Sequence, residues 1–238
     1  MSHTLRITGD DAADELISRD PLALLIGMLL DQQVTMEAAF SGPERLRSRL
    51  GGLDAATIAG MDPEQLSDVC RRPPAVHRYP AAMAGRIQAL CMEVAERWHG
   101  DAAAIWTDGE PDGPEVLRRL RSLPGFGEQK ASIFLALLGK QLGLSAAGWR
   151  EAAGEYGEAG SFRSVADIVD PESLAKVREH KRAAKAASGG RTERAGRASG
   201  GGQSERSARA GGGGRSERSA KAGGTRAGRP ATDGGRPA

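Results

Sequence analysis

The segment "SLPGFGEQKASIFLALLG", residues 122–139, decides the fold of this chain. Two glycines, Gly125 and Gly127, follow a Leu-Pro pair and stand directly before a strongly apolar stretch with helical spacing. The preceding segment "GPEVLRRLRS" (113–122) also has the spacing of a helix. Glycine permits positive φ angles and carries no Cβ, so it suits a sharp turn. The pattern predicts a helix, a tight hairpin and a second helix over residues 115–143.

This hairpin has the properties of an anion site. Bare backbone N–H groups are expected at the start of the second helix, where the helix dipole also favours negative charge. Lys130 lies on the first turn and would add a positive charge. Phe126 is expected to fill the space between the two helices. The pattern therefore predicts a phosphate-binding hairpin, and an ordinary helix–helix corner with a glycine cap is the alternative.

The rest of the body reads as helices. The segment "DPLALLIGMLLDQQVTMEAAF" (20–40) starts a helix at Asp-Pro, turns polar at residues 31–33 and resumes as a helix. Apolar residues recur at helical spacing in 62–73, 79–98, 113–122 and 127–143. Only "TLRIT" (4–8) alternates like a strand. We therefore expect an all-α body of six to eight helices.

Composition divides the chain near residue 180. The last strongly apolar residue is Val177, and the chain from Lys181 onward consists mainly of Gly, Ala, Ser and Arg. Residues 1–180 carry a net charge of −8 and residues 181–238 a net charge of +10. A segment without apolar surface cannot offset the entropy of ordering. We therefore expect one domain over 1–180 and a disordered basic tail over 181–238, which either contacts polyanions such as DNA or only confers solubility.

The remaining composition excludes several classes of protein. Two cysteines, Cys70 and Cys91, do not make a disulfide framework, a zinc set or a four-cysteine iron–sulfur set, and the four histidines show no metal spacing. The longest apolar run, residues 21–30, is much shorter than the ~20 residues of a membrane span. We expect a cytoplasmic protein, nucleoid-associated if bacterial, without a cofactor, an iron–sulfur cluster or a membrane partner.

Three segments together resemble the helix-hairpin-helix–Gly-Pro-Asp (HhH-GPD) superfamily of base-excision DNA glycosylases. They are the hairpin "LPGFGEQKASIFLALL" (123–138), the Gln-Gln turn and following helix in "LLDQQVTMEAAFSGPERL" (29–46), and "YPAAMAGRIQAL" (79–90). The resemblance implies a two-lobed all-α domain that clamps double-stranded DNA, bends it and flips a nucleotide into the cleft between the lobes. We expect it to act as a monomer.

The resemblance also implies which residues contact DNA. Gln32 and Gln33 would insert into the gap left by a flipped base, bond its orphaned partner, or form hydrogen bonds within the cleft. The hairpin would bind the DNA backbone. The expected DNA-binding residues are Leu123, Gly125, Phe126, Gly127, Gln129, Lys130, Gln32 and Gln33.

The chain departs from the family pattern at the two catalytic positions. The family places an Asp about 20 residues after the second hairpin glycine, and no acid lies at that place here. Glu151 is the nearest acid, and Asp167 is the other candidate, because a loop insertion would bring it back to the cleft. Members with lyase activity carry a Lys two residues after that glycine, where this chain has Gln129. Lys130 is one position further, and we expect it to point away from the cleft.

Two functions follow from this resemblance. The first is a monofunctional DNA N-glycosylase without lyase activity, with Asp167 or Glu151 as the catalytic carboxylate. The second is a non-catalytic DNA-binding or lesion-sensing protein on the same scaffold, which the missing acid favours. The sequence does not reveal which base is recognised.

Overall fold

The computed structural model describes residues 4–198, with side chains described for residues 4–186. These residues form α-helices joined by short loops and two 3₁₀ turns, and none of them forms a strand. The α-helices are α1 (Asp11–Arg19), α2 (Pro21–Leu30), α3 (Met36–Phe40), α4 (Gly42–Leu50), α5 (Ala55–Ala59), α6 (Pro63–Arg71), α7 (Pro80–Arg97), α8 (Ala104–Thr107), α9 (Gly113–Ser122), α10 (Glu128–Gln141), α11 (Trp149–Ala152) and α12 (Pro171–Ala198). The 3₁₀ turns span Gly154–Gly157 and Val165–Asp167. The all-α expectation is confirmed.

Asp-Pro pairs begin several of these helices. Asp20 caps α2 by accepting the backbone N–H groups of Leu22 and Ala23, with Pro21 at the first helical position. Asp62 caps α6 in the same way. An N-cap carboxylate satisfies N–H groups that have no partner within the helix, and proline there loses no hydrogen bond. The Asp-Pro pairs in the sequence therefore determine where these helices begin.

The helices pack in two sets. Helices α1–α7 contact one another around α2 and α7, and helices α8–α11 contact one another and the two 3₁₀ turns around α10. Helix α2 is strongly apolar, and every one of its residues after Pro21 is buried. Burial raises the pKa of the Cys70 thiol to about 11 and that of Cys91 to about 12, as expected of unreactive core thiols.

Short elements explain why the helix number was underestimated. Helices α3, α5, α8 and α11 have four or five residues each, too few to show a helical period. The segment at residues 4–8 is not a strand. Its alternation instead places Leu5 and Ile7 in the core, with the Ile7 N–H bonded to the Asp14 carboxylate at 3.1 Å.

Helix α12 crosses the expected domain boundary at residue 180. Helix α12 continues from Pro171 to Ala198 without a break. Counting apolar residues missed this because extending an existing helix is far easier than starting one, and Ala, Lys and Arg are good helix formers. The rest of the expected disordered tail, residues 199–238, lies outside the described residues.

Candidate active site

The hairpin joins α9 to α10 as expected. Gly125 has φ +80°, the left-handed region that glycine tolerates. Gly127 is the N-cap of α10, and no side chain caps this helix end. Because the first N–H groups of a helix have no intrahelical partner, the exposed Gly127 end of α10 is open to an anion.

The two apolar hairpin residues hold the turn in place. Leu123 and Phe126 are 3% and 4% exposed. The Phe126 ring packs edge-on against Phe134, with ring centroids 5.8 Å apart. Phe126 therefore packs into the core against α10, and neither side chain is presented to a ligand.

The two hairpin glycines are not equivalent. A Cβ built on Gly125 would lie 2.4 Å from Cδ1 of Leu29, whereas a Cβ on Gly127 would meet nothing within 4 Å. Gly125 is thus required by packing against α2 as well as by its φ angle. Gly127 keeps the α10 N-terminus uncovered.

The Gln-Gln turn follows α2 and holds its two glutamines differently. Gln32 is fixed: its Nε2 donates to the Leu29 carbonyl at 2.8 Å, and its Oε1 accepts from Arg86. The buried His77 lies with Nε2 2.9 Å from the Gln32 carbonyl oxygen, which braces the turn from the neighbouring loop. Gln33 has φ +57° and an exposed side chain. A positive φ is uncommon for a residue other than glycine or asparagine. Residues held in such strained conformations cluster at functional sites.

The hairpin helix and the Gln-Gln turn line a cavity of about 310 Å³, called the Gln-Gln cavity below. Four predicted DNA-contacting residues, Gln32, Gln33, Gln129 and Lys130, come together here from segments almost a hundred positions apart. The cavity is lined by Met28, Asp31, Gln32, Gln33, Val34, Gln129, Lys130, Ile133 and Lys181. A second cavity adjoins it and shares Gln129, Ile133 and Lys181.

Lys130 lies in this cavity, so the expectation that it points away is wrong. Its Nζ donates to the Leu29 carbonyl at 2.8 Å. Because α2 closes against the hairpin, the cavity wall extends over more than one face of α10, and neighbouring positions 129 and 130 both reach it. Burial lowers the pKa of Lys130 to about 8; Asp31 acts in the opposite direction, and Arg86 and Lys181 lower the pKa further.

Asp31 and Lys181 are site residues that the sequence analysis did not single out. Asp31 follows the last residue of α2, and its carboxylate lies 3.3 Å from the Nζ of Lys181 on α12. The Asp31 side chain is 15% exposed. The sequence feature that could have identified Asp31 is its position directly before the two glutamines. Nothing local marked Lys181, because it comes from the segment expected to be disordered.

Asp167 does not reach this cavity. Its Oδ1 accepts from Lys140 at 2.6 Å and from Ser161 at 3.1 Å. Its Oδ2 accepts the backbone N–H groups of Arg163 and Ser164, completing a capping box on the second 3₁₀ turn. With four donors around it and a side chain 3% exposed, this carboxylate is a structural cap.

Glu151 also lies away from the Gln-Gln cavity. It is exposed on the short helix α11 and is absent from the lining of both cavities. The adjoining cavity instead contains Glu155, which is 55% exposed and paired with Arg163 at 2.9 Å. Neither acid expected after the hairpin is therefore brought to Gln32 and Gln33.

No three His, Cys, Asp or Glu side chains among residues 4–186 are grouped as metal ligands. No described helix is both long enough and apolar enough to cross a membrane.

The comparison with protein families agrees with this geometry. The model of the HhH-GPD superfamily base excision DNA repair protein matches residues 26–185, which include the Gln-Gln turn, the hairpin and Lys181. No curated protein matches the chain significantly. Since the family match covers more than half of the 238 residues, the chain belongs to the HhH-GPD superfamily of base excision DNA repair proteins.

Proposed function

We propose that this protein is a monofunctional DNA N-glycosylase that flips a damaged or mismatched base out of double-stranded DNA and removes it. The observation that carries the proposal is the cavity where Gln32, Gln33, Gln129 and Lys130 meet. An enzyme that works on a base must take it out of the stack, so it needs a pocket beside a group that fills the vacated space. The exposed Gln33 stands at the mouth of such a pocket.

The hairpin supports the orientation of the DNA. The uncapped N-terminus of α10 is available for a backbone phosphate. Phosphate contacts set register and orientation but carry no sequence information. A phosphate held at Gly127 would position the duplex beside the cavity that begins two residues later in the same helix.

The charge of the cavity supports cleavage of the glycosidic bond. Breaking the bond between base and deoxyribose leaves positive charge on the sugar, which a nearby carboxylate stabilises. The cavity contains such a carboxylate, together with ammonium groups that attract the anionic backbone. We propose that the protein acts as a monomer, in the cytoplasm or nucleoid, without a cofactor.

Lyase activity is not part of this proposal. The position of the family's Schiff-base lysine is Gln129, whose Nε2 donates to the Tyr156 hydroxyl at 2.8 Å. Lys130 is nearby, but a hydrogen bond to the Leu29 carbonyl holds its Nζ against the end of α2. Borohydride should therefore trap no covalent protein–DNA adduct at neutral pH, and a trapped adduct mapped to Lys130 would overturn the monofunctional assignment.

A lesion-sensing protein without catalysis is the second candidate. The observation in its favour is that Asp167 is fully occupied as a cap and Glu151 lies outside the cavity. Such a protein would bind damaged duplexes through the same cavity and release no base.

A panel of duplexes, each with one damaged or mismatched base, separates the two candidates. We expect the full-length protein to convert at least one duplex to an abasic product, seen as strand breaks only after alkali treatment. Tight, selective binding to a damaged duplex without any alkali-labile product would identify the lesion sensor instead. Breaks without alkali would show lyase activity.

A further inference from the structure

We propose that Asp31 is the carboxylate that stabilises the positive charge on the sugar during base removal, in place of an acid following the hairpin. The inference rests on the proposed glycosylase function and assigns a residue to it. Within the part of the chain that the structure describes, Asp31 is the only carboxylate that lines the Gln-Gln cavity.

The position of Asp31 suits this role. It follows α2 directly, and its backbone N–H donates to the Gly27 and Met28 carbonyls at 3.2 and 3.3 Å. The carboxylate is therefore carried by the end of a helix that is buried from Leu22 to Leu30, rather than by a loop. A charged group on a rigid, mostly desolvated support acts strongly on charge that develops beside it.

The ion pair between Asp31 and Lys181 leaves part of the carboxylate free for a substrate. Lys181 lies 3.3 Å from Oδ2, longer than the ~2.7–2.9 Å of a tight charge-assisted hydrogen bond. Asp167 contrasts with it, since four donors surround that carboxylate within 2.6–3.1 Å. Asp31 can thus face a substrate, whereas Asp167 cannot.

Glu155 is the competing acid. It lies in the adjoining cavity rather than beside Gln32 and Gln33, its side chain is 55% exposed, and Arg163 binds it at 2.9 Å. Exposed charges are screened by water and act weakly on a distant centre. The geometry favours Asp31, and Glu155 serves as a comparison in the test.

Removal of the base requires water as the only other reactant. The bond between C1′ of the sugar and the base nitrogen breaks, and its electron pair leaves with the base. Water adds to C1′, forming a C–O bond, and gives its proton to the Asp31 carboxylate, from which it passes to solvent. The departing base takes a proton from solvent, so the net reaction is hydrolysis.

The test compares two duplexes that contain no base to be recognised. One carries a neutral tetrahydrofuran abasic site, and the other carries a protonated pyrrolidine ring at the same position, which mimics the cationic sugar. Transition-state mimics bind more tightly than neutral ground-state analogues. We expect full-length protein to prefer the pyrrolidine duplex by ~10-fold or more.

Asp31→Asn should reduce that preference to near one. Removing a negative charge also strengthens attraction to the phosphates of both duplexes, so the ratio of the two affinities is the quantity to measure. Glu155→Gln and Glu151→Gln remove acids that do not line the Gln-Gln cavity, so both variants should keep the preference. Single-turnover base release by Asp31→Asn should fall ~10²-fold on the duplex that the panel identifies.

Two results would overturn the inference. One is a wild-type preference of one, and the other is a preference that survives Asp31→Asn or disappears in Glu155→Gln. Failure to release a base from any duplex of the panel would instead contradict the proposed function, and the affinity ratio would still show whether Asp31 faces the sugar.

Discussion

The Nζ of Lys130 donates a 2.8 Å hydrogen bond to the carbonyl oxygen of Leu29. This bond connects the first turn of the hairpin helix α10 to the last turn of α2, residues that are 101 positions apart. Leu29 also fills the space beside Gly125. Leu29 therefore contacts the hairpin at both Gly125 and Lys130. These two contacts fix the position of the hairpin relative to the Gln-Gln turn, and the cavity lies between them.

Substitution of the two hairpin glycines should separate DNA binding from folding. Gly127→Val adds a side chain in open space beside the α10 N-terminus, so we expect weaker duplex binding at an unchanged melting temperature. Gly125→Val would clash with Leu29 and strain a φ of +80°, so it should lower the melting temperature. Gly52→Val, also in open space but in the α4–α5 loop, is the matched control and should change neither property. Duplex binding unaffected in folded Gly127→Val would show that the hairpin is only a corner.

The Lys130 amine should titrate near pH 8 in the folded protein, below its ordinary value of 10.5. Asp31→Asn removes an attraction that favours the ammonium and should lower the pKa further. Arg86→Gln removes a repulsion and should raise it. NMR of the ¹³C-methylated amine measures all three proteins. Shifts of the same sign in both variants would contradict this electrostatic arrangement.

The same pKa shift gives a pH dependence of stability. Between about pH 8 and 10.5 the unfolded chain holds more protons on Lys130 than the folded chain, so the unfolding free energy contributed by this residue rises with pH. Relative to Lys130→Met, the wild type should therefore gain stability across this range. Urea unfolding of both proteins at several pH values measures the difference, and a difference that is constant with pH would show that Lys130 titrates normally.

Asp167→Asn should affect folding rather than chemistry. The change breaks a buried ion pair with Lys140 and weakens two backbone caps, and breaking a buried pair typically lowers stability by about 3–5 kcal/mol. Glu151→Gln on exposed α11 should lower it by less than about 0.5 kcal/mol. Denaturant midpoints measure both. A normal midpoint for Asp167→Asn combined with lost base release would restore Asp167 as a catalytic candidate.

A truncation after Ala198 is the appropriate test of the tail. Residues 199–238 contain eight basic and three acidic residues, a net charge of +5. Their removal leaves Lys181 and the rest of α12 in place. We expect weaker non-specific duplex binding and a shallower dependence on salt, because fewer counterions are released, with unchanged melting behaviour. Equal salt slopes for full-length and truncated protein would exclude tail contact with DNA.

The sequence predicted the features that local chemistry determines. The hairpin required its two glycines, and the Asp-Pro caps of α2 and α6 fixed where those helices begin. It failed where long-range packing decides. Asp167 was a candidate for the catalytic carboxylate. In the structure its oxygens accept hydrogen bonds from Lys140 and from the backbone of residues 163–164.

The site itself was only half predictable. The sequence singled out Gln32, Gln33, Gln129 and Lys130 as DNA-contact candidates, and all four line the cavity. The direction of Lys130 depends on how α2 packs against the hairpin. Lys181 enters the cavity from a helix that continues beyond the last apolar residue. Neither the sequence around Asp31 nor the sequence around Lys181 indicates that these two residues come together.

The central claim is that a nucleotide leaves the duplex and enters the cavity beside Gln33 and Ile133. The most direct measurement is the fluorescence of a duplex that carries 2-aminopurine next to a mismatch, since this base brightens when it is unstacked. We predict a rise on binding of wild-type protein, loss of the rise in Ile133→Trp, whose indole would fill the cavity, and a normal rise in Met92→Trp, which adds the same group at an exposed position of α7. Tight binding without a rise in the wild type, or an undiminished rise in Ile133→Trp, would contradict the account.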